Sequence, residues 1–177
     1  RFMPHLHLSL QSGDDMILKR MKRRHARADA IAFCQQVRAL RPEIVFGADF
    51  IAGFPTETED MFAQTMSMVD ECGLTHLHVF PFSPRPTTPA ARMPQVARET
   101  VKERGARLRA LGDAALTRHL DGRVGKTLRL LTEKGGTARA SDFTLALTPD
   151  IAAGRMIDAR VTGHNGRALE VALISRS

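Results

Sequence analysis

The sequence predicts an α/β protein, part of a parallel β/α barrel followed by a small five-stranded antiparallel β-barrel. Three observations predict it. Strand-like and helix-like segments alternate over residues 5–120. The segment over residues 44–53 is nearly continuous in apolar residues, as a parallel strand covered on both faces is. After Asp121-Gly122 the rhythm changes to short strands punctuated by glycine turns.

His5-Leu6-His7-Leu8-Ser9-Leu10 alternates strictly, which puts Leu6, Leu8 and Leu10 on one face and His5, His7 and Ser9 on the other. Gln11-Ser12-Gly13-Asp14-Asp15 supplies turn residues and a helix cap, and Met16-Ile17-Leu18 with Met21 begins a short basic helix. A second helix over residues 26–40 has Ala28, Ile31, Ala32, Cys34, Val37 and Leu40 at helical spacing and is ended by Arg41-Pro42. The covered strand over residues 44–53 carries one charge, Asp49. Thr56-Glu57-Thr58-Glu59 matches a capping box with Thr56 as N-cap, opening a helix to Glu71 that Cys72-Gly73 closes. Residues 76–82 read as a third strand, broken by Pro81 into the loop Pro84-Arg85-Pro86-Thr87-Thr88-Pro89, and a long amphipathic helix covers residues 95–120.

Three strands cannot close a barrel and leave two unpaired edges, so residues 1–120 read as the back half of a larger domain. The opening Arg1-Phe2-Met3-Pro4-His5 agrees, lacking an initiator Met and a signal-peptide pattern. Residues 121–177 form the second domain, with strands over 127–132, 138–140, 144–147, 155–162 and 168–174. Gly135-Gly136 and His164-Asn165-Gly166 make its turns, and five short strands point to a barrel of the oligonucleotide-binding kind.

Composition narrows the function classes. With 43% hydrophobic and 25% charged residues, the chain reads as a globular protein of the cytosol. No apolar run approaches the roughly 18 residues of a membrane span. The net charge of +7 is unevenly spread: residues 26–84 carry 3 Lys or Arg against 8 Asp or Glu, residues 1–25 carry 6 against 2, 85–120 carry 8 against 3, and 121–177 carry 9 against 6. Basicity at both ends of the first domain and in the second suits a polyanionic partner. Cys34 and Cys72 lie far apart in sequence inside helices and read as small core residues, without disulfide or metal-ligand spacing.

Candidate site residues gather at strand ends, where parallel sheets hold their ligands. Asp49, Ile51 and Gly53 belong to the phrase Asp49-Phe50-Ile51-Ala52-Gly53-Phe54-Pro55-Thr56-Glu57-Thr58, in which Gly53 removes a side chain where something flat must approach. Gln11 and Ser12 end the first strand and Phe82-Ser83-Pro84-Arg85 the last, so all three phrases fall on one rim. Arg20-Met21-Lys22-Arg23-Arg24 places four cations in little more than a helical turn, suited to an anionic cofactor group or a phosphate chain. His5/His7 and His76/His78 set imidazoles on strand faces, but no carboxylate cluster accompanies them in sequence, so they read as barrel-lining or hydrogen-bonded side chains and no metal site is expected.

Taken together, these phrases resemble the radical S-adenosylmethionine methylthiotransferases. His7-Leu8-Ser9-Leu10-Gln11-Ser12-Gly13 is similar to the family's fourth barrel strand, Leu18-Lys19-Arg20-Met21-Lys22-Arg23 to its following basic helix, and Gly53-Phe54-Pro55-Thr56-Glu57-Thr58 to its fifth-strand motif. His78-Val79-Phe80-Pro81-Phe82-Ser83-Pro84-Arg85 with Thr88-Pro89-Ala90-Ala91 resembles the sixth strand and its loop, and the last fifty or so residues resemble the RNA-binding TRAM module. Ser9 before Leu10-Gln11, and Leu77-His78-Val79-Phe80-Pro81 leading into Ala91-Arg92-Met93-Pro94, look most like the branch acting on threonylcarbamoyladenosine in tRNA; sister branches modify isopentenyladenosine or a ribosomal-protein aspartate. Four positions depart from the family pattern: Lys22 where asparagine is frequent, Thr56 and Thr87 where glycine is, and Phe82 where tyrosine is.

The resemblance implies an enzyme that cleaves S-adenosylmethionine to a 5′-deoxyadenosyl radical, abstracts hydrogen at adenine C2, inserts sulfur and supplies a methyl group. It implies two 4Fe-4S clusters, held by a CxxxCxxC loop and by three further cysteines, none of which this sequence contains, so the 177 residues alone are expected to be inactive, with no catalytic residue among them. By the same resemblance Gln11, Ser12, Asp49, Ile51, Gly53, Phe80, Phe82 and Ser83 surround the cofactor's nucleoside, and Arg20 and Arg23 face its carboxylate or nearby phosphates. Lys126, Arg129, Lys134, Arg139, Arg155, Arg160 and Arg167 form the pool for contacts to the tRNA anticodon arm. The full-length form is expected to be a monomer. Two readings from other classes stay open: a stand-alone RNA-binding module, and a metal-dependent barrel hydrolase using the His-x-His pairs.

Overall fold

The strict alternation of the opening segment becomes strand β1 (His5–Gln11), which leads into α1 (Asp15–Arg20) and α2 (Arg27–Leu40). Strand β2 (Val45–Ala52) leads into α3 (Glu59–Glu71), and β3 (Leu74–Pro81) leads through a 3₁₀ turn at Pro89–Arg92 into α4 (Arg98–Asp121). This computed structural model describes residues 2–149 and 151–174. The chain divides into two compact units, one from Leu6 to Gly112 and the other from Asp113 onward together with the residues before Leu6.

In the first unit the strands lie in the order β1-β2-β3, with β2 and β3 parallel and in register from Gly47↔His76 to Ala52↔Pro81. Burial follows the pleat. Phe46, Ala48 and Phe50 of β2 are fully buried on one face, whereas Asp49 and Ile51 on the other are partly open. Pro81 does not break β3 but ends it, paired with Ala52, and Phe82 N then donates to Ala52 O at 2.9 Å. A proline lacks a donor, and the last position of a strand tolerates that.

The N-cap of α3 is displaced by two residues from its expected place, and no capping box forms there. Thr58, not Thr56, is the N-cap of α3, its side-chain oxygen accepting from Met61 N at 3.3 Å. Thr56 sits instead in the left-handed region at φ 70°, inside a tight turn in which Glu57 N donates to Phe54 O at 3.0 Å. The turn wins because it carries the Glu57 carboxylate back to Gly53 N, 2.9 Å away.

Lys22, Thr56 and Thr87, three of the positions at which the sequence departs from the family pattern, all have positive φ, at 57°, 70° and 74°. Glycine, with no Cβ, and asparagine, whose side chain hydrogen-bonds locally, accept that conformation readily, whereas other residues lose about 1–2 kcal/mol in it. Thr87 is exposed. Thr87→Gly is therefore expected to raise stability by about 1 kcal/mol, read as a higher urea midpoint at unchanged slope. An unchanged midpoint would show that the loop stores no strain there.

The second unit contains all five expected strands: β4 (Thr127–Glu133), β5 (Thr137–Ala140), β6 (Leu145–Leu147), β7 (Met156–His164) and β8 (Leu169–Leu173). They close in the order β4-β5-β6-β8-β7. The barrel is antiparallel except at β6–β8, which run parallel through Ala146↔Leu169 and Leu147↔Glu170. Geometry requires this exception, because an odd number of strands cannot alternate direction all the way round a closed ring. Leu130, Ala138, Ala146, Ala159, Val161 and Leu169 fill the interior, and Leu116 and Leu120 from the end of α4 pack into the same core. The last turns of α4 are thus part of the barrel. Among the described residues, no helix is long and apolar enough to cross a membrane.

Candidate functional site

Three strand ends converge in the first unit. Gln11 at the end of β1, Ile51 of β2, Phe80 of β3 and the following Phe82 and Ser83 line one cavity of about 470 Å³, floored on the loop side by Arg85, Thr88 and Ala90. A second cavity of about 420 Å³ shares Gln11, Ile51, Thr88 and Ala90 with it and extends to Arg20, Met21, Lys22 and Arg23 at the end of α1. The two make one groove with an apolar end and a cationic end. Phe54 braces the apolar end edge-on against Phe82, ring centroids 5.2 Å apart at 72°. Arg20 is held at the other end by a 2.5 Å bond from Nη1 to Thr56 Oγ1.

Seven of the ten expected cofactor residues therefore share this groove: Gln11, Arg20, Arg23, Ile51, Phe80, Phe82 and Ser83. Three do not line it. Ser12 is fully buried, and its hydroxyl is 3.3 Å from Thr65 Oγ1, which also accepts from Gly13 N at 2.8 Å, so it fixes the β1–α1 turn onto α3. Gly53 has φ 74°, and a Cβ there would lie 2.5 Å from Val101 Cγ2, so its missing side chain makes room for α4 and not for a flat ligand. Asp49 lies on the open face of β2 two residues before Ile51 and is bonded to histidines.

His7 takes the hydrogen-bonded role the sequence suggested, with a partner the sequence did not indicate. In sequence no carboxylate accompanied the His-x-His pairs, yet the fold places Asp49 between one member of each. His7 Nε2 donates to Asp49 Oδ1 at 2.8 Å, and His78 Nδ1 is 3.3 Å from the same oxygen. The residues are 42 and 29 positions from Asp49, a separation that only strand pairing closes. His5 and His76 are not members of this group.

Sequence reading missed the clamp behind the groove. The Glu57 side chain is fully buried; its Oε2 accepts from Gly53 N at 2.9 Å and from Arg104 Nη1 at 3.0 Å, and Arg104 Nη1 also donates to Glu57 O at 2.9 Å. Burial pushes the Glu57 carboxyl above its ordinary range, against the opposing pull of the Gly53 N–H and the Arg104 guanidinium. A signal was present. Arg104 occupies the apolar stripe of α4, between Val101 and Leu108, where a solvated cation would not be placed.

Cys34 and Cys72, far apart in sequence, also meet. Both are fully buried, and a thiol–thiol hydrogen bond followed by burial pushes the Cys72 thiol far above its ordinary value. The same hydrogen bond, with Arg38 nearby, moves the Cys34 thiol below its ordinary value against the effect of burial, but at 0% exposure neither sulfur is open to a cluster.

In the barrel, Lys126, Arg129, Lys134, Arg155, Arg160 and Arg167 are exposed. Arg129 and Arg160 project from the outer face of paired strands, with Arg129↔Asp158 and Thr127↔Arg160 in register. Arg139 is half-buried, held by Glu133 at 3.1 Å and donating to Phe143 O at 3.2 Å.

Residues 2–69 match the Radical SAM superfamily. The chain is 51% identical over 164 residues to a threonylcarbamoyladenosine tRNA methylthiotransferase, MtaB, of Rickettsia prowazekii, covering 92% of this chain and 39% of the relative. It is 42% identical over 135 residues to a tRNA-2-methylthio-N(6)-dimethylallyladenosine synthase of Bartonella bacilliformis, covering 76% of this chain and 30% of the relative. A solved structure described as coproporphyrinogen III oxidase (HemN) from Escherichia coli, a radical SAM enzyme, superposes with TM-score 0.51 at 17% identity over 97% of this chain and 46% of that one. That likeness concerns the fold. Over residues 2–69 the chain is thus similar to the radical SAM superfamily, and the two curated relatives it matches are methylthiotransferases. It spans about two fifths or less of the length of those two relatives, at 39% and 30%.

Proposed function

We propose that this chain is the part of a tRNA methylthiotransferase that supplies one side of the S-adenosylmethionine site and the barrel that holds the tRNA anticodon arm, working as a monomer in the cytosol. The modified base is the threonylcarbamoyl-bearing adenosine next to the anticodon, which gains a methylthio group at C2. The convergence of Gln11, Ile51, Phe80, Phe82 and Ser83 beside the basic end of α1 carries this reading.

The groove's chemistry fits the cofactor. Ile51, Phe80 and Phe82 offer apolar surface to an adenine ring, Gln11 and Ser83 offer hydrogen bonds to its edge or ribose, and Arg20 with Arg23 offers charge to the methionine carboxylate. When bound, S-adenosylmethionine supplies the radical chemistry and the methyl group; these residues only bind and orient it. An iron–sulfur cluster does not fit the residues present, since Cys34 and Cys72 are buried against each other and no further cysteine exists in the sequence.

The choice of base rests on the 51% identity to the threonylcarbamoyladenosine enzyme against 42% for the dimethylallyladenosine enzyme. Complementation with the gene encoding this chain, in bacteria lacking both methylthio modifications, tests it. Mass spectrometry of tRNA nucleosides should show 2-methylthio on the threonylcarbamoyl adenosine; methylthiolation of the isopentenyl adenosine alone would overturn the assignment. The 177-residue chain, reconstituted anaerobically with iron and sulfide, should form no 5′-deoxyadenosine above background.

The barrel's role is open to a separate measurement. Arg129→Glu with Arg160→Glu is expected to weaken tRNA binding at least about tenfold and to flatten the slope of log affinity against log salt by about 2. Unchanged affinity and slope would remove this face from the tRNA contact.

A further inference from the structure

The groove leaves one constellation unused. We infer that His7, Asp49 and His78 form a site for one divalent first-row transition-metal ion of the zinc or iron(II) class. Each ligand comes from a different neighbouring strand: His7 from β1, Asp49 from β2 and His78 from β3, with Asp49 and His78 directly in register. One donor atom from each residue lies within 4.8 Å of the other two. Asp49 Oδ1 is 2.8 Å from His7 Nε2 and 3.3 Å from His78 Nδ1, spacings near the roughly 3.3 Å between neighbouring ligands of a tetrahedral ion bound at about 2.0 Å. Both imidazoles thus already aim a nitrogen at one point beside the carboxylate. Their ring centroids lie 4.7 Å apart with planes tilted by 36°.

The donor set selects the metal class. Two imidazoles and one carboxylate suit zinc, iron(II) or their neighbours, whereas calcium and magnesium call for oxygen ligands. The site is also open. The side chains of His7, Asp49 and His78 are 32%, 24% and 61% exposed, so further coordination positions remain for water or a ligand oxygen. They lie on the face of the sheet that carries Ile51 and Phe80 two residues farther along β2 and β3.

A second, independent feature shows that the strand accommodates the first histidine. Gly47 has no positive φ to explain it, yet a Cβ at that position would lie 2.6 Å from His7 Nδ1 and 3.4 Å from His7 Cε1. The missing side chain lets the His7 ring lie across β2 toward Asp49.

The test uses the 177-residue chain, stripped with chelator and titrated with cobalt(II) and zinc(II). One equivalent of cobalt(II) should bind with visible d–d bands and be displaced by one equivalent of zinc(II). His7→Ala, His78→Ala and Asp49→Asn should each weaken binding at least about tenfold, whereas His164→Ala, in the barrel, should not. Circular dichroism melts run beside each variant separate lost metal from lost fold. His78→Cys keeps three ligands and should add a thiolate-to-cobalt charge-transfer band in the near ultraviolet. Failure of the unaltered chain to take up one equivalent, uptake that survives the His7→Ala, His78→Ala double substitution, or absence of the charge-transfer band from folded, cobalt-titrated His78→Cys would each overturn the site.

Discussion

Arg104→Ala is expected to destabilise the chain by about 3–5 kcal/mol, and by more at neutral than at acidic pH. The guanidinium, only 5% exposed, is among the described residues the one cation bonded to the fully buried Glu57 side chain, and it also holds Glu57 O. Its removal leaves a carboxylate in the interior with the Gly53 N–H as its remaining bonded donor. The sign of the pH effect follows from the direction of the shift. Burial already holds the Glu57 carboxyl above its unfolded value of 4.5, and Arg104 is one of the groups pulling it down. Without Arg104 the folded value climbs further. A group raised in the folded state contributes stability below its unfolded value and loses it as pH rises through the folded value. The deficit of the variant should therefore widen from about pH 5 to about pH 8, read from urea midpoints. Glu57→Gln in the same background should recover part of the loss at the upper end. A deficit that is flat with pH would mean that lost packing on Phe62, whose ring lies 5.4 Å from the guanidinium, dominates instead.

The fold was legible wherever one local pattern decided it. Alternation at residues 5–10 gave β1, an apolar run gave β2, and glycine-punctuated strands gave the five-stranded barrel, because burial on one or both faces of a strand leaves a direct imprint on residue type. The groove was legible for a similar reason: parallel strands deliver their ends to one rim, so Gln11, Ile51 and Phe82 could be grouped without knowing any distance. What stayed hidden depended on tertiary contact. Thr56 matched a cap by spacing, but the turn that returns Glu57 to Gly53 outweighed the local match. Asp49 and the two histidines carried no spacing signal, since strand pairing alone joins them. The same holds for Cys34 with Cys72. Lys22, Thr56 and Thr87 ran the other way: their left-handed backbones were foreshadowed by asparagine and glycine in the family pattern, and the side chains present here conceal them.

Gly53→Ala should cost about 2–5 kcal/mol, combining about 1–2 for a Cβ in the left-handed region with about 1–3 for overpacking. The overpacking is specific. The new methyl would lie 2.5 Å from Val101 Cγ2, 2.9 Å from Val101 Cβ and 3.0 Å from Val101 Cα. Val101→Ala removes the first of these contacts and leaves the other two, so the double variant should regain part of the loss and not all of it. That partial rescue separates two explanations of the glycine. If the absent side chain served the approach of a cofactor, the substitution would lower stability only by the about 1–2 kcal/mol of the left-handed backbone, weaken S-adenosylmethionine binding, and show no coupling to Val101. If it serves α4, stability falls first and Val101 sets by how much. The clamp gives the second explanation a functional edge, because Gly53 N is bonded to Glu57, Glu57 to Arg104, and Arg104 lies on the same stripe of α4 as Val101. Displacing α4 from Gly53 therefore loosens the loop that carries Thr56, the partner of Arg20 at the cationic end of the groove. The double variant should then bind S-adenosylmethionine more tightly than Gly53→Ala alone, in step with its regained stability.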